Sequence, residues 1–267
     1  MKLQEEFKDS GFAIVAPHSQ AVPEEQVVQL MRSQKVNYTI TNGGSVAGDK
    51  GNPIPRAFLF DTSGKLVASG HPDELKPKIK DLVKTEPHFL AAGRKYKKLA
   101  PVAESLKQTK AFGQILQKIE KDLKGEGDAA EEAKYLAEKI QGFGKKKLAD
   151  AKTQESDDPF LAQQTYTDIS TQWKGNEIAE QASVRLKELK ADKDFQADLA
   201  ASKVYHQILS ECDKLVFQGG KIDHEYGPNK KVAASVKGMV TQFKKKFSNS
   251  KAATKIDKDL EVYGFKS

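Results

Sequence analysis

The chemistry open to this sequence is limited first by its thiols, because Cys212 is its single cysteine. Thiol catalysis needs an accessible cysteine of lowered pKa, and disulfide exchange needs a second cysteine to resolve the mixed intermediate. Ile208, Cys212 and Leu215 share one face of a predicted helix, a spacing typical of a core. The sequence therefore predicts a buried thiol and excludes a disulfide within the chain.

The histidines and glycines offer no stronger site. The five histidines lack metal-ligand spacing, and His18 is placed just after a predicted strand. Residues 43–50 nearly match a phosphate-binding loop, but Asp49 stands where that loop needs its lysine. The segment therefore predicts a flexible loop, and we expect no cofactor and no metal. The other histidines are His71, His88, His206 and His224.

Composition indicates a helix-rich chain with a mixed-charge surface. It has 38% hydrophobic and 30% charged residues, and no run approaches the roughly 20 apolar residues of a membrane span. As written, its first residues lack the apolar core of a signal peptide. The formal charge of +7 comes from 44 basic and 37 acidic residues, a mixture more typical of a solvated surface than of a nucleic-acid footprint. Phe243 and Phe247 flank a lysine cluster, and we interpret them as core anchors.

Residues 1–84 alternate between helix and strand patterns, which predicts an α/β domain. A hairpin is the clearest element, with strands at 57–60 and 65–68 joined by the turn Asp61-Thr62-Ser63-Gly64. The other predicted elements are a helix at 3–9, a strand at 12–16, a helix opening at Pro23, an extended piece at 36–40 and a helix after Pro72.

The segment Ile54-Pro55-Arg56-Ala57-Phe58-Leu59-Phe60-Asp61-Thr62-Ser63-Gly64-Lys65-Leu66-Val67 resembles redoxin and TlpA-type thioredoxin-like proteins. There a proline, an apolar strand, Asp-x-x-Gly and a second strand follow one another. The resemblance covers residues 1–84 and implies a thiol-disulfide oxidoreductase family of an extracytoplasmic, oxidising compartment. It also implies that Pro55 is the family's cis-proline, and that Ile54, Pro55 and Arg56 form a substrate-binding loop facing the active-site cysteines.

The departure from that family is as informative as the match. Its Cys-x-x-Cys motif follows the first core strand, at the start of the helix that we assign to residues 3–9; the strand and the motif are both absent here. The resemblance then implies an N-terminally incomplete domain that is inactive as written, with a gap where a central strand belongs. Two explanations stay open: a truncated or misassigned start at Met1, or a degenerate domain kept for binding.

Residues 85–267 predict an all-α domain, a helical repeat or a bundle. Residues 173–179 align with 247–253, and 123–129 more weakly; each has a helix ending in a bulky residue, a polar turn and a second helix. This is similar to tetratricopeptide-type repeats and predicts protein partners, and the thioredoxin-like resemblance implies a disulfide-containing substrate. The alternatives are a non-enzymatic interaction scaffold and a basic scaffold for anionic partners. Predicted helices cover 88–100, 102–122, 128–152, 158–173, 177–190, 196–217, 229–247 and 250–262.

Overall fold

A computed structural model describes residues 2–7, 11–18, 27, 31, 36–42, 46, 56–218 and 221–265. Contacts between Cα atoms divide the chain into two compact units. The first contains Met1–Val27, Asn37–Phe143 and Gln172–Asn176, and the second contains Val28–Val36, Gly144–Thr171 and Glu177–Ser267. The domain boundary that the sequence predicts after residue 84 lies inside the first unit and stays a prediction.

The strands of the first unit pair locally. Strands β1 (Val15–His18) and β2 (Thr39–Asn42) are parallel, with Val15 opposite Thr39. Strands β3 (Ala57–Phe60) and β4 (Leu66–Gly70) form the predicted antiparallel hairpin. In the described residues these are two separate two-stranded sheets. The described residues of this region thus contain both strands and helices, and the α/β arrangement of a complete domain stays a prediction.

Short helices complete this region. Helix α1 (Lys2–Phe7) and helix α2 (Pro72–Thr85) lie at the predicted places. Proline suits the first turn of α2, and His71 caps it by accepting the N–H of Asp73 at Nδ1. Both helices cover the hairpin, because apolar side chains of each pack in its core. The residues of that core are Leu59, Leu75 and Ile79, with Leu3, Phe7, Phe12, Ala57, Ala68, Leu82 and Val83 against them.

From residue 100 onward the chain is helical, except for a small hairpin of β5 (Phe217–Gln218) and β6 (Lys221–Ile222). The three predicted corners, at Leu123, Trp173 and Phe247, are confirmed as short turns between consecutive helices, and the helix before Trp173 ends one residue earlier, at Gln172. The helices are α3 (Ala100–Ser105), α4 (Phe112–Leu123), α5 (Gly127–Asp157), α6 (Pro159–Gln172), α7 (Glu177–Ala191), α8 (Lys193–Cys212), α9 (Gly227–Phe247) and α10 (Lys251–Glu261).

The predicted helix at 88–100 is wrong, because residues 88–99 form turns and bends. Gly93 has a left-handed φ of +87°. The buried Glu132 carboxylate accepts the backbone N–H groups of residues 97–99 at 2.7, 3.0 and 2.8 Å. Burial acts to raise the pKa of Glu132, but these bonds outweigh it and lower the pKa. A carboxylate 33 or more residues away thus replaces the carbonyls that a helix would have supplied.

The predicted helix at 102–122 is two helices, α3 and α4. Between them the Thr109 hydroxyl accepts the N–H of Ala111 at 3.0 Å. Local side-chain bonds of this kind compete with helical hydrogen bonds. The break lets α4 begin at Phe112, whose ring is 4.6 Å from that of Trp173, centroid to centroid.

Trp173 anchors the helical part of the first unit. It is 0% exposed and its Nε1–H donates to the Ile140 carbonyl at 3.3 Å. Its ring also lies 5.8 Å from that of Phe143. At Gly113 the backbone of α4 passes so close to this corner that an added Cβ would lie 2.2 Å from the Lys174 carbonyl oxygen. Glycine is therefore required at this approach.

Gly113→Ala should destabilise the protein because the clash is with backbone, which cannot turn away. We expect a loss of about 2 kcal/mol or more in the free energy of unfolding, measured by urea denaturation. The matched control is Gly142→Ala in α5, where an added Cβ meets nothing within 4 Å. That change should stabilise by about 0.5–1 kcal/mol. Equal effects of the two substitutions would contradict the close approach at Gly113.

His88 gives the first unit a pH-dependent stability. It is 3% exposed, accepts the Leu90 N–H at Nδ1, and burial, followed by the charge of Lys107, lowers its pKa to about 4. In the unfolded chain the pKa of histidine is about 6.5. Between these two values the unfolded state binds a proton that the folded state does not, so stability falls as the pH falls.

Urea unfolding from pH 7 to pH 4 should show this dependence. We expect His88→Asn, whose amide oxygen can still accept the Leu90 N–H, to remove up to about 3 kcal/mol of the stability lost over this range. The two unfolding curves should therefore converge toward pH 4. An unchanged pH slope in the variant would show that His88 is not buried in its neutral form.

Candidate functional site

The predicted substrate-binding loop is only partly described. Ile54 and Pro55 lie outside the described residues, so their proposed roles stay predictions. Arg56 is half-buried, and its guanidinium carbon lies 5.0 Å from the centroid of the Phe58 ring. Beyond this pair the hairpin exposes apolar side chains, namely Phe60 at 46%, Leu66 at 46% and Val67 at 40%. A cation stacked on a ring beside an apolar strip is an arrangement that can contact a polypeptide.

Cys212 lies in the core of the second unit, as predicted. Its side chain is fully buried among α8, α9 and α10. Burial raises the pKa of the thiol to about 12, and the charge of Asp213 adds to this effect. A thiol that is both protonated and inaccessible cannot attack a disulfide. The residues of this core are Ala201, Tyr205, Ile208, Cys212, Leu215, Ala233, Val236, Phe243, Ala252, Ile256, Leu260, Tyr263 and Phe265.

The histidines are distributed rather than clustered. In the described part of the chain, no group of three or more His, Cys, Asp or Glu side chains could hold a metal ion. His224 lies 2.7 Å from the Tyr263 carbonyl and stacks on Phe265, a structural role. His18 ends β1. Residues 43–45 and 47–50 of the glycine-rich segment lie outside the description.

One polar cluster was missed by sequence reasoning. Asp158 Oδ1 accepts the Ser202 hydroxyl at 2.7 Å and the Leu161 N–H at 3.2 Å, while Oδ2 lies 2.6 Å from His206 Nε2. Burial acts to raise the pKa of Asp158, but the hydrogen bonds from Ser202, His206 and Leu161 lower it. An Asp-Pro pair before a helix does signal a cap. Ser202 and His206 lie 44 and 48 residues further along the chain, and no sequence pattern indicated that they contact Asp158.

The order of contacts decides what this cluster can do. A serine nucleophile must bond to the histidine that removes its proton. Here the hydroxyl bonds to the carboxylate, and the carboxylate lies between the serine and the histidine. We therefore assign the cluster to capping α6 and attaching α8 to it.

A second, partly buried network is also structural. Arg185 binds Glu155 with two bonds, Nε to Oε1 at 2.9 Å and Nη2 to Oε2 at 2.6 Å. Tyr166 donates to Glu155 Oε1 at 2.7 Å. The bond from Arg185 is the largest cause that lowers the pKa of Glu155, whereas burial and this carboxylate raise that of Tyr166. The bidentate geometry fixes α5 against α7 in the second unit.

Comparisons with protein-family models, with curated proteins and with solved structures found no match to this chain. Among the described residues, no helix has the length and apolar content needed to cross a bilayer. The described residues thus define a chain with a segment of short strands and helices, a helical region and a core thiol.

Thiol labelling tests the position of Cys212. We expect no reaction of the native protein with the thiol reagent DTNB over an hour, and one thiol per chain in 6 M guanidinium chloride. The control is Ser235→Cys, an exposed position on α9, which should add one rapidly reacting native thiol. Rapid labelling of the native wild-type chain would contradict the buried position of Cys212.

Proposed function

We propose that this chain is a thioredoxin-like protein whose helical region binds a protein partner, and that it works without dithiol catalysis of its own. The absence of dithiol catalysis in this proposal rests on the position of Cys212. The chain's single thiol is fully buried with a raised pKa. A dithiol enzyme needs one accessible thiol to attack a disulfide and a second thiol to resolve the mixed disulfide. This chain supplies neither of them.

The arrangement of the strands supports the thioredoxin-like part of the proposal. In the described residues the parallel pair β1–β2 and the hairpin β3–β4 are separate sheets. The resemblance implies that the missing central strand would lie in a gap of this kind between two parts of the sheet. Helix α2 packs on the hairpin, in the order that the resemblance implies.

Gln4 adds a detail at the start of this region. Its side-chain amide donates to the Phe12 carbonyl at 3.2 Å and accepts the Ile14 N–H at 2.9 Å. An adjacent strand would satisfy these two groups in the same way. The Gln4 side chain thus makes the hydrogen bonds that a neighbouring strand would make. This supports the proposal that the backbone before β1 would pair with a further strand in a complete domain.

The partner-binding part rests on the helical region. The polar side chains of the Asp158 and Glu155 clusters are hydrogen-bonded to one another, so the helices that carry them present fixed surfaces. On the described helices of the second unit two large apolar side chains stay exposed, Leu161 at 40% and Val184 at 54%, and Val216 is exposed in the segment after α8. Rigid helices with few exposed apolar anchors suit recognition of another protein.

Site-specific photo-crosslinking in the source cells tests this proposal. The photoreactive residue p-benzoylphenylalanine is placed singly at Leu161, Val184 or, as the matched control on the hairpin, Val67. We expect adducts with the same partner protein from at least one of the two helical positions. In parallel, the purified chain should not accelerate the reduction of insulin by dithiothreitol.

Two results would overturn the proposal. Adducts from Val67 alone would assign binding to the hairpin rather than to the helices. Faster insulin reduction that Cys212→Ala removes would show that this thiol does catalyse exchange.

A further inference from the structure

Helix α9 has an unusual distribution of charge. Its 21 residues, Gly227–Phe247, include six lysines and no aspartate or glutamate. This one helix therefore supplies most of the formal net charge of +7. All six lysines are exposed, and we call them the lysine face: Lys230, Lys231, Lys237, Lys244, Lys245 and Lys246.

The geometry of α9 explains why they all reach solvent. Its buried residues include Ala233, Val236 and Phe243, so the apolar side faces the core. On one side of the helix, Lys230, Lys237 and Lys244 follow one another at intervals of seven residues, which is about 10 Å along the axis. The exposed positions between the lysines are small or neutral, and a Cβ added at Gly238 would meet nothing within 4 Å. A partner can thus approach the backbone closely between the lysines.

Two lysines of this surface already bind carboxylates. Lys230 Nζ lies 3.5 Å from Glu225 Oε2, and Lys244 Nζ lies 2.6 Å from Asp257 Oδ1. Within the described residues no ion pair forms at three other lysines: Lys231, Lys237 and Lys245. Carboxylates of the same chain therefore pair with Lys230 and Lys244 and leave the lysines between and beside these two without an ion pair in the described part of the chain.

We propose that the lysine face binds an acidic polypeptide segment, rich in Asp and Glu, of the partner protein. This inference rests on the proposed partner-binding function and names the chemistry of the partner. Exposed lysine-carboxylate pairs are individually weak, worth about 0.2–1 kcal/mol. Several together speed association and select an acidic partner over others.

Neighbouring charges favour a narrow acidic segment over a larger polyanion. Helix α8 packs directly against α9. The stretch 192–226, which contains α8 and the segment that leads to α9, has seven acidic residues and four lysines. A nucleic-acid duplex or a bilayer is wide enough to extend over this acidic neighbour and be repelled. The exposed positions of α9 also include no arginine or aromatic side chain for bases and no large apolar side chain for insertion into lipid.

Fluorescence anisotropy of the full chain with a labelled 20-residue poly-glutamate tests the inference at 20 and 150 mM salt. The variant combines Lys231→Glu, Lys237→Glu and Lys245→Glu. We expect affinity for the probe to fall at least about tenfold, because three attractive pairs become repulsive. The matched control combines Lys118→Glu, Lys187→Glu and Lys190→Glu, exposed lysines of α4 and α7 with the same charge change. That control should change affinity less than about threefold.

The other outcomes separate this inference from the proposed function. Equal losses in the two triple variants would show that the probe senses net charge only, and would overturn the lysine face as the site. Tighter binding of a 20-base-pair duplex, or of vesicles with 30% phosphatidylserine, than of poly-glutamate would assign the face to nucleic acid or lipid. If crosslinks to a partner persist in the α9 variant, the proposed function stands and this inference fails. Unchanged circular dichroism and urea midpoints confirm that each variant is folded.

Discussion

The burial of Trp173 is the constraint on which the helical part of the first unit depends. A large ring with one N–H must be enclosed and its donor satisfied, and the Ile140 carbonyl does so. Enclosure requires rings from two other helices, Phe112 and Phe143, and a close backbone approach at Gly113. The ends of α4 and α6 and the middle of α5 are consequences of this packing.

The second unit is specified by buried polar groups. Asp158 and Glu155 each join helices through several hydrogen bonds. Asn229 is 0% exposed, accepts the Val216 N–H at 2.6 Å and donates to the carbonyls of Val216 and Asp223. Burying such groups is tolerated only when every bond is made, so they select one register of the helices. The surfaces that these helices present are fixed as a result.

The thiol and the charged side chains of α9 lie at different depths in the protein. The thiol, the group that could react, lies in the core, whereas the lysines of α9 lie at the surface. Reactive groups must be accessible, while charges recognise partners best at the surface, where they steer association. The binding role that we propose for this chain, in place of dithiol chemistry, follows from this separation.

The sequence by itself determined the elements whose signals are local. Turn residues Asp61–Gly64 defined the hairpin, and the spacing of Ile208 and Cys212 defined a core thiol. Only the tertiary structure decided what residues far apart in the chain do to one another. Glu132 prevents a helix at residues 97–99, and Asp158 meets His206 across 48 residues. Local propensities are small, and such long-range hydrogen bonds override them.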